Sequence, residues 1–130
     1  MRYRLLADAL VVLHFAFIAF AIGGGLLVLA RRWLAWLHLP VAAWALWTEF
    51  TASICPLTPW EQALRHAAGQ AGYRGGFVEH YLIPVIYPPG LTPALQVELG
   101  VAVFAINAAI YVFVWRRWRQ ERRLATTPSP

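Results

Sequence analysis

The sequence predicts an all-α integral membrane helical bundle, and three observations carry that reading. Sixty per cent of the 130 residues are hydrophobic and only 13% are charged, about half the charged share of an ordinary soluble domain. The mean hydropathy is +0.54. The apolar residues gather in runs, and about 20 helical residues suffice to cross a bilayer core. The length allows one domain. All 11 basic residues are arginine, against six acids, for a net charge of +5. Five of them (Arg116, Arg117, Arg119, Arg122 and Arg123) directly follow an apolar run. A nucleic-acid protein spreads its cations along a face; this placement is that of a membrane anchor with a basic cytoplasmic flank. Composition therefore excludes a disordered chain, and the charge layout argues against a nucleic-acid partner. The single cysteine excludes an internal disulfide framework.

The first helix is expected over about 5–30, an apolar run broken only by Asp8 and His14. Arg2, Arg4 and Ala19-Phe20-Ala21 imitate a signal peptide, but the run continues well past that point, so it reads as an anchor. Arg31-Arg32 interrupts the apolar sequence, and a second helix is expected over 33–54. So short a gap forces an antiparallel hairpin. Pro40 should kink the second helix, as membrane helices tolerate. Cys55-Pro56 ends it, because the residue before proline avoids the α region.

Thr58, Pro59 and Glu61 have the spacing of an N-cap, N1 and N3, a capping box that would open a short helix over 59–68. Trp60, Ala63, Leu64 and Ala67 make one apolar face; Glu61, Gln62, Arg65 and His66 make a polar one. Such a helix lies at a membrane interface. A glycine-rich loop follows. The apolar segment 77–87 covers about 17 Å as a helix, too short to cross, so it reads as a re-entrant or interfacial half-helix. Pro88-Pro89-Gly90 closes it. Thr92 and Pro93 start the last helix, expected over 93–118. Residues 1–118 thus form one bundle with three long transmembrane helices. Residues 119–130 form a basic tail, disordered from Ala125 onward. Arginine counting puts the C-terminus in the cytoplasm. Charge balance favours four crossings and segment length three, and the three-crossing arrangement is the expectation taken forward.

A tight turn at 31–32 fixes relative depth along the hairpin. Partners sum to about 63, so His14 is level with Glu49 and Gly25 with His38. Ala7, His14, Ala21 and Gly25 share one stripe of the first helix; His38, Ala42, Ala45 and Glu49 share one stripe of the second. Small and polar residues turn inward in lipid. The stripes should therefore face each other, with His14 and Glu49 as a buried pair and His38 over Gly23–Gly25. On the last helix Glu98, Ala102, Ala105 and Ala109 form a similar stripe, expected to pack on the same bundle, with Asn107 on the other side. Asp8, His38, Glu98 and Asn107 are read as structural polar groups. The tryptophans at the helix ends read as an interfacial belt.

An ionisable group inside a bilayer is costly and so marks a candidate site. His14, Glu49, Glu79 and His80 can converge, and two imidazoles with two carboxylates suit zinc or another transition metal. Their spacing matches no metal motif, and a structural hydrogen-bond network or a proton relay explains the same residues. Haem held by His14 and His38 is excluded by a depth difference of about 16 Å; His14 with His80 stays open. No cofactor is required by the sequence. Cys55 is a candidate nucleophile only if His66 or His80 serves as its base. No catalytic triad order, P-loop or dinucleotide fingerprint is present, and the chain leans away from an enzyme.

Leu6-Ala7-Asp8 with His14-Phe15, Trp36-Leu37-His38-Leu39-Pro40, Cys55-Pro56-Leu57-Thr58 and Gly75-Gly76-Phe77-Val78-Glu79-His80-Tyr81-Leu82-Ile83-Pro84 stand together in one short chain. The combination resembles a family of small bacterial multi-pass membrane proteins of unknown function, over about residues 3–115. The resemblance implies the bacterial inner membrane and carries no activity. The expected role is that of a structural or accessory subunit acting through helix–helix contacts, in a larger membrane complex or a homo-oligomer. The alternative is a metal- or cofactor-binding protein built on the His/Glu cluster.

Overall fold

The computed structural model describes residues 1–87 and 89–125, and among them it contains helices and no strand. Helix α1 spans Arg2–Gly23 and tightens into a 3₁₀ segment over Gly24–Leu29. Helices α2, Leu34–Phe50, and α3, Leu57–Ala67, follow. A π-helical turn, Val78–Leu82, runs directly into the single-turn α4, Ile83–Ile86. Helix α5 is the longest, Pro93–Ala125. The helical chain thus continues well beyond 118; residues 126–130 of the expected tail and Pro88 lie outside the described residues. The Thr92 hydroxyl accepts the Leu95 N–H at 3.1 Å and caps α5.

Helices α1, α2 and α5 pack around one another, and α3 lies along α1. Two helical stretches, Arg2–Leu29 and Pro93–Ala125, are long and apolar enough to cross a membrane. Helix α2 has 17 residues, about 25 Å. The chain turns its hydrophobic side chains outward: Leu5, Val12, Leu26, Leu39, Val101 and Phe113 are all exposed. Large exposed apolar area marks a surface meant for apolar surroundings. The interior combines small and polar groups with a few larger apolar side chains, Val28, Phe77, Ile83 and Val114. The buried residues of α1 are Ala7, His14 and Ala21, and those of α2 are His38 and Ala42.

Helix α5 presents Gly100, Asn107 and Val114 to the interior. The stripe of Glu98, Ala102, Ala105 and Ala109 faces outward, contrary to the expectation that it packs on the bundle. The reason is Asn107. Its Nδ2 donates to the Ala21 carbonyl at 3.0 Å and the Val103 carbonyl at 2.9 Å. A carboxamide with no water to meet needs such partners, so it sets the rotation of α5 and sends the opposite face out.

The helices approach closely where α1 gives way to the 3₁₀ segment. A Cβ on Gly24 would come within 2.6 Å of Phe20 and 2.7 Å of His38. His38, fully buried, lies over this glycine patch, and its Nδ1 shares a hydrogen bond with the Tyr111 hydroxyl at 2.9 Å. At the end of the hairpin Arg32 stands 3.7 Å from Glu121 and 4.8 Å from the centre of the Trp118 ring. The hairpin arginines and the C-terminal end of α5 are therefore at the same end of the molecule. It follows that 77–86 returns to the end it started from.

Gly24→Ala should lower the melting temperature in detergent, followed by tryptophan fluorescence, by an amount corresponding to about 1–3 kcal/mol of overpacking. Gly23→Ala, whose Cβ would meet nothing within 4 Å, should leave it unchanged or raise it slightly. Equal losses in both would remove the close helix approach as the cause.

Candidate functional site: a buried carboxylate and a cavity beside it

Helix α3 packs with its polar face inward. Glu61 is 1% exposed while its neighbour Trp60 is 63% exposed. The capping box is not formed: the helix begins at Leu57, one residue before Thr58, and no side chain caps it. The physical reason lies in the partners Glu61 finds. Arg65, one turn on, donates from Nε at 2.8 Å. The Tyr73 hydroxyl donates at 2.8 Å and the Tyr81 hydroxyl at 2.9 Å. Both carboxylate oxygens are met, as a buried charge requires. Arg65 also donates to the Tyr81 hydroxyl at 3.0 Å and approaches Asp8 of α1 at 3.7 Å. Gln62 holds both backbone polar groups of Tyr73, accepting its N–H and donating to its carbonyl. The loop 69–77 is thereby fastened to α3 and, through Asp8, to α1.

The two tyrosines keep their protons. Burial pushes the Tyr73 phenol up, and its bond to Glu61 pushes it further; the same two causes raise Tyr81. Glu61 in turn holds the Arg65 guanidinium in its charged form.

Between the two tyrosines the chain passes over a cavity. It has a volume of ≈ 360 Å³ and lies among α1, α2, the start of α5 and the segment 75–79. Phe17, Ile18, Ile54, Phe77 and Val103 supply apolar wall. His14, Glu49, Glu79 and Cys55 supply polar wall. Phe77 is the inner surface of the overlying segment and stacks on the His14 ring, 3.9 Å between centres and 20° between planes. Gly75, at φ +82°, allows the sharp entry into this segment, and a Cβ there would collide with the Glu79 carboxylate.

Three of the four residues singled out as metal candidates thus line one cavity, but they form no ligand set. His80 leaves the cavity and stacks on Tyr73 at 3.9 Å. The expected His14–Glu49 pair is not made: His14 Nδ1 and Glu49 Oε2 are both buried without a hydrogen-bond partner. Among the described residues no three His, Cys, Asp or Glu side chains could share a metal ion. With its ring stacked on Tyr73, the second imidazole of the expected set, His80, is turned to another partner. Cys55 is half-buried on the cavity wall, and no imidazole bonds its thiol among the described residues. Sequence reasoning missed Glu61, Arg65, Tyr73 and Tyr81 as a unit. The Glu61–Arg65 spacing of four was the available signal; nothing local distinguishes it from a solvent-facing pair.

The chain belongs to the family described as Protein of Unknown function (DUF2784), whose model matches residues 4–112. The match covers the Glu61 network, the whole cavity and the bundle up to residue 112 of α5. No curated protein and no solved structure matches the chain.

Two outcomes follow from the network. Glu61→Gln should destabilise the protein by about 3 kcal/mol, the scale for removing one member of a buried charged pair; a melting curve within a degree of the parent would contradict it. The tyrosines also set an alkaline limit. A phenol with a raised folded value contributes stability fully present below its ordinary value, about pH 10, and lost as pH rises beyond it. The melting temperature should therefore fall above about pH 10, and fall less in Tyr73→Phe/Tyr81→Phe than in the parent.

Proposed function

We propose that this chain is a multi-pass protein of the bacterial inner membrane that holds a small organic molecule in the cavity between α1, α2 and α5. The observation that carries the reading is the cavity's combination of volume and unsatisfied polarity. A space of ≈ 360 Å³ is within the range of small-molecule sites. Two of its wall groups, His14 Nδ1 and Glu49 Oε2, are buried and unpartnered. Buried polar atoms left without partners cost free energy that a ligand's polar end recovers. His14 is 3% exposed, so the cavity is where its partner can come from.

The membrane arrangement we propose has three crossings, by α1, α2 and α5. Arg31, Arg32 and the arginines of 116–123 then share the cytoplasmic face, in keeping with the arginine bias of cytoplasmic loops. The N-terminus, α3 and the segment 69–87 face the other side, with Phe77 reaching the depth of His14. The apolar face of α3, carrying Trp60, lies toward the lipid.

A second reading has an observation of its own. The outward stripe of Ala102, Ala105 and Ala109 on α5 is what a helix presents to another helix, and it fits an accessory subunit bound to a larger assembly or to its own copy.

Native mass spectrometry of protein released from mild detergent tests both readings. The ligand reading expects one small organic molecule per chain, absent from Ala45→Phe, which fills the cavity from its wall. An empty chain associated with a second protein would support the accessory role and overturn the ligand reading. A C-terminal green fluorescent protein fusion should fluoresce, and an alkaline phosphatase fusion at Tyr87 should be active; the opposite pattern would invert the topology.

A further inference from the structure

The walls of the cavity also say what kind of molecule fits, an inference that rests on the ligand reading above. The charged groups on its wall are Glu49 and Glu79, and no arginine is among the described lining residues. The chain is otherwise rich in arginine, with a net charge of +5, so the acidic wall runs against the average. Glu49 Oε2 is an acceptor with no donor, and His14 Nδ1, equally buried, is unpartnered beside the same space. The remaining hydroxyl and carboxamide groups, of Thr48, Ser53 and Gln96, carry no charge. Thr48 donates to the Ala45 carbonyl at 2.8 Å, and Ser53 bonds Thr51 at 2.7 Å. The deeper wall is aromatic and aliphatic. A carboxylate held in such surroundings calls for a cation that brings its own donors.

We propose that the cavity binds a lipophilic amine, its ammonium on Glu49 and His14 Nδ1 and its hydrocarbon body against Phe17, Ile18 and Phe77. Neutral imidazole accepts a second ammonium hydrogen at Nδ1, so a primary amine is served better than a quaternary one. Glu79, at the rim beside Gly75, adds a second negative charge on the route in. Phe77 closes over the ligand as it closes over His14. Acids of the same hydrocarbon size are repelled by both carboxylates, and alcohols of that size lose the charge-assisted bond.

The test is isothermal titration of the full-length protein in zwitterionic lipid nanodiscs, with empty discs subtracted. The probes share one hydrocarbon body: 4-phenylbutylamine, 4-phenylbutanol and 4-phenylbutyrate. The amine should bind saturably, about tenfold or more tighter than the alcohol, and the acid should give no saturable heat. Glu49→Gln should bring the amine down to the level of the alcohol, and Glu98→Gln, on the outward face of α5, should leave it unchanged. Should Glu49→Gln fail to fold, Glu79→Gln should weaken the amine in the same direction. An alcohol or acid that binds as tightly as the amine, or an amine affinity indifferent to these variants, overturns the amine assignment and leaves the cavity reading standing. No saturable heat from any probe, with no molecule retained in native mass spectrometry, overturns both.

Discussion

The burial of one carboxylate organises the part of this protein that is not simply a helical hairpin. Glu61 is removed from solvent in a chain whose other acids are exposed or half-buried. A charge in that position is tolerable only with donors on both oxygens. Arg65, Tyr73 and Tyr81 supply them. Because the tyrosines come from either side of the segment 75–79, satisfying Glu61 also fixes where that segment runs. The cavity exists under it for the same reason: the segment is held at its two ends and spans the gap between them.

The helices themselves depend on small residues and a few polar contacts. Gly24 lets His38 and Phe20 sit where any side chain would clash, and Asn107 ties α5 to the carbonyl of Ala21. Helix α2 ends at Phe50, and the chain turns sharply, with Ala52 at φ 51°, before α3 takes its place along α1. The space between α1, α2 and α5 beyond the glycine patch is therefore not filled by a neighbouring helix. Close approach at one end and an open interior toward the other are two results of the same hairpin.

Much of the hairpin was legible beforehand. A turn confined to Arg31-Arg32 fixes relative depth, and the stripes Ala7–His14–Ala21 and His38–Ala42 read as inward because lipid favours small and polar groups at helix contacts. His14, Glu49 and Glu79 could be picked out because ionisable residues are scarce in apolar runs, and the structure puts all three on the cavity wall. The pairing of His14 with Glu49 was not legible, since depth along two helices says nothing about what stands between the side chains. The stripe Glu98–Ala109 was misread for a related reason. Small residues mark a face fit for contact, but not which partner it meets.

By itself the sequence determined the apolar character, the helical hairpin, a short helical segment after residue 77 and the concentration of arginine at one end. Each follows from local composition and from the length a bilayer demands. Only the tertiary structure decided which face of α3 turns inward. An amphipathic helix in water hides its apolar face. Here the interior supplies hydrogen bonds to Glu61, so the polar face is buried and Trp60 is left outside. That inversion depends on Tyr73 and Tyr81 arriving from residues far along the chain, and helical periodicity around Glu61 carries no trace of them.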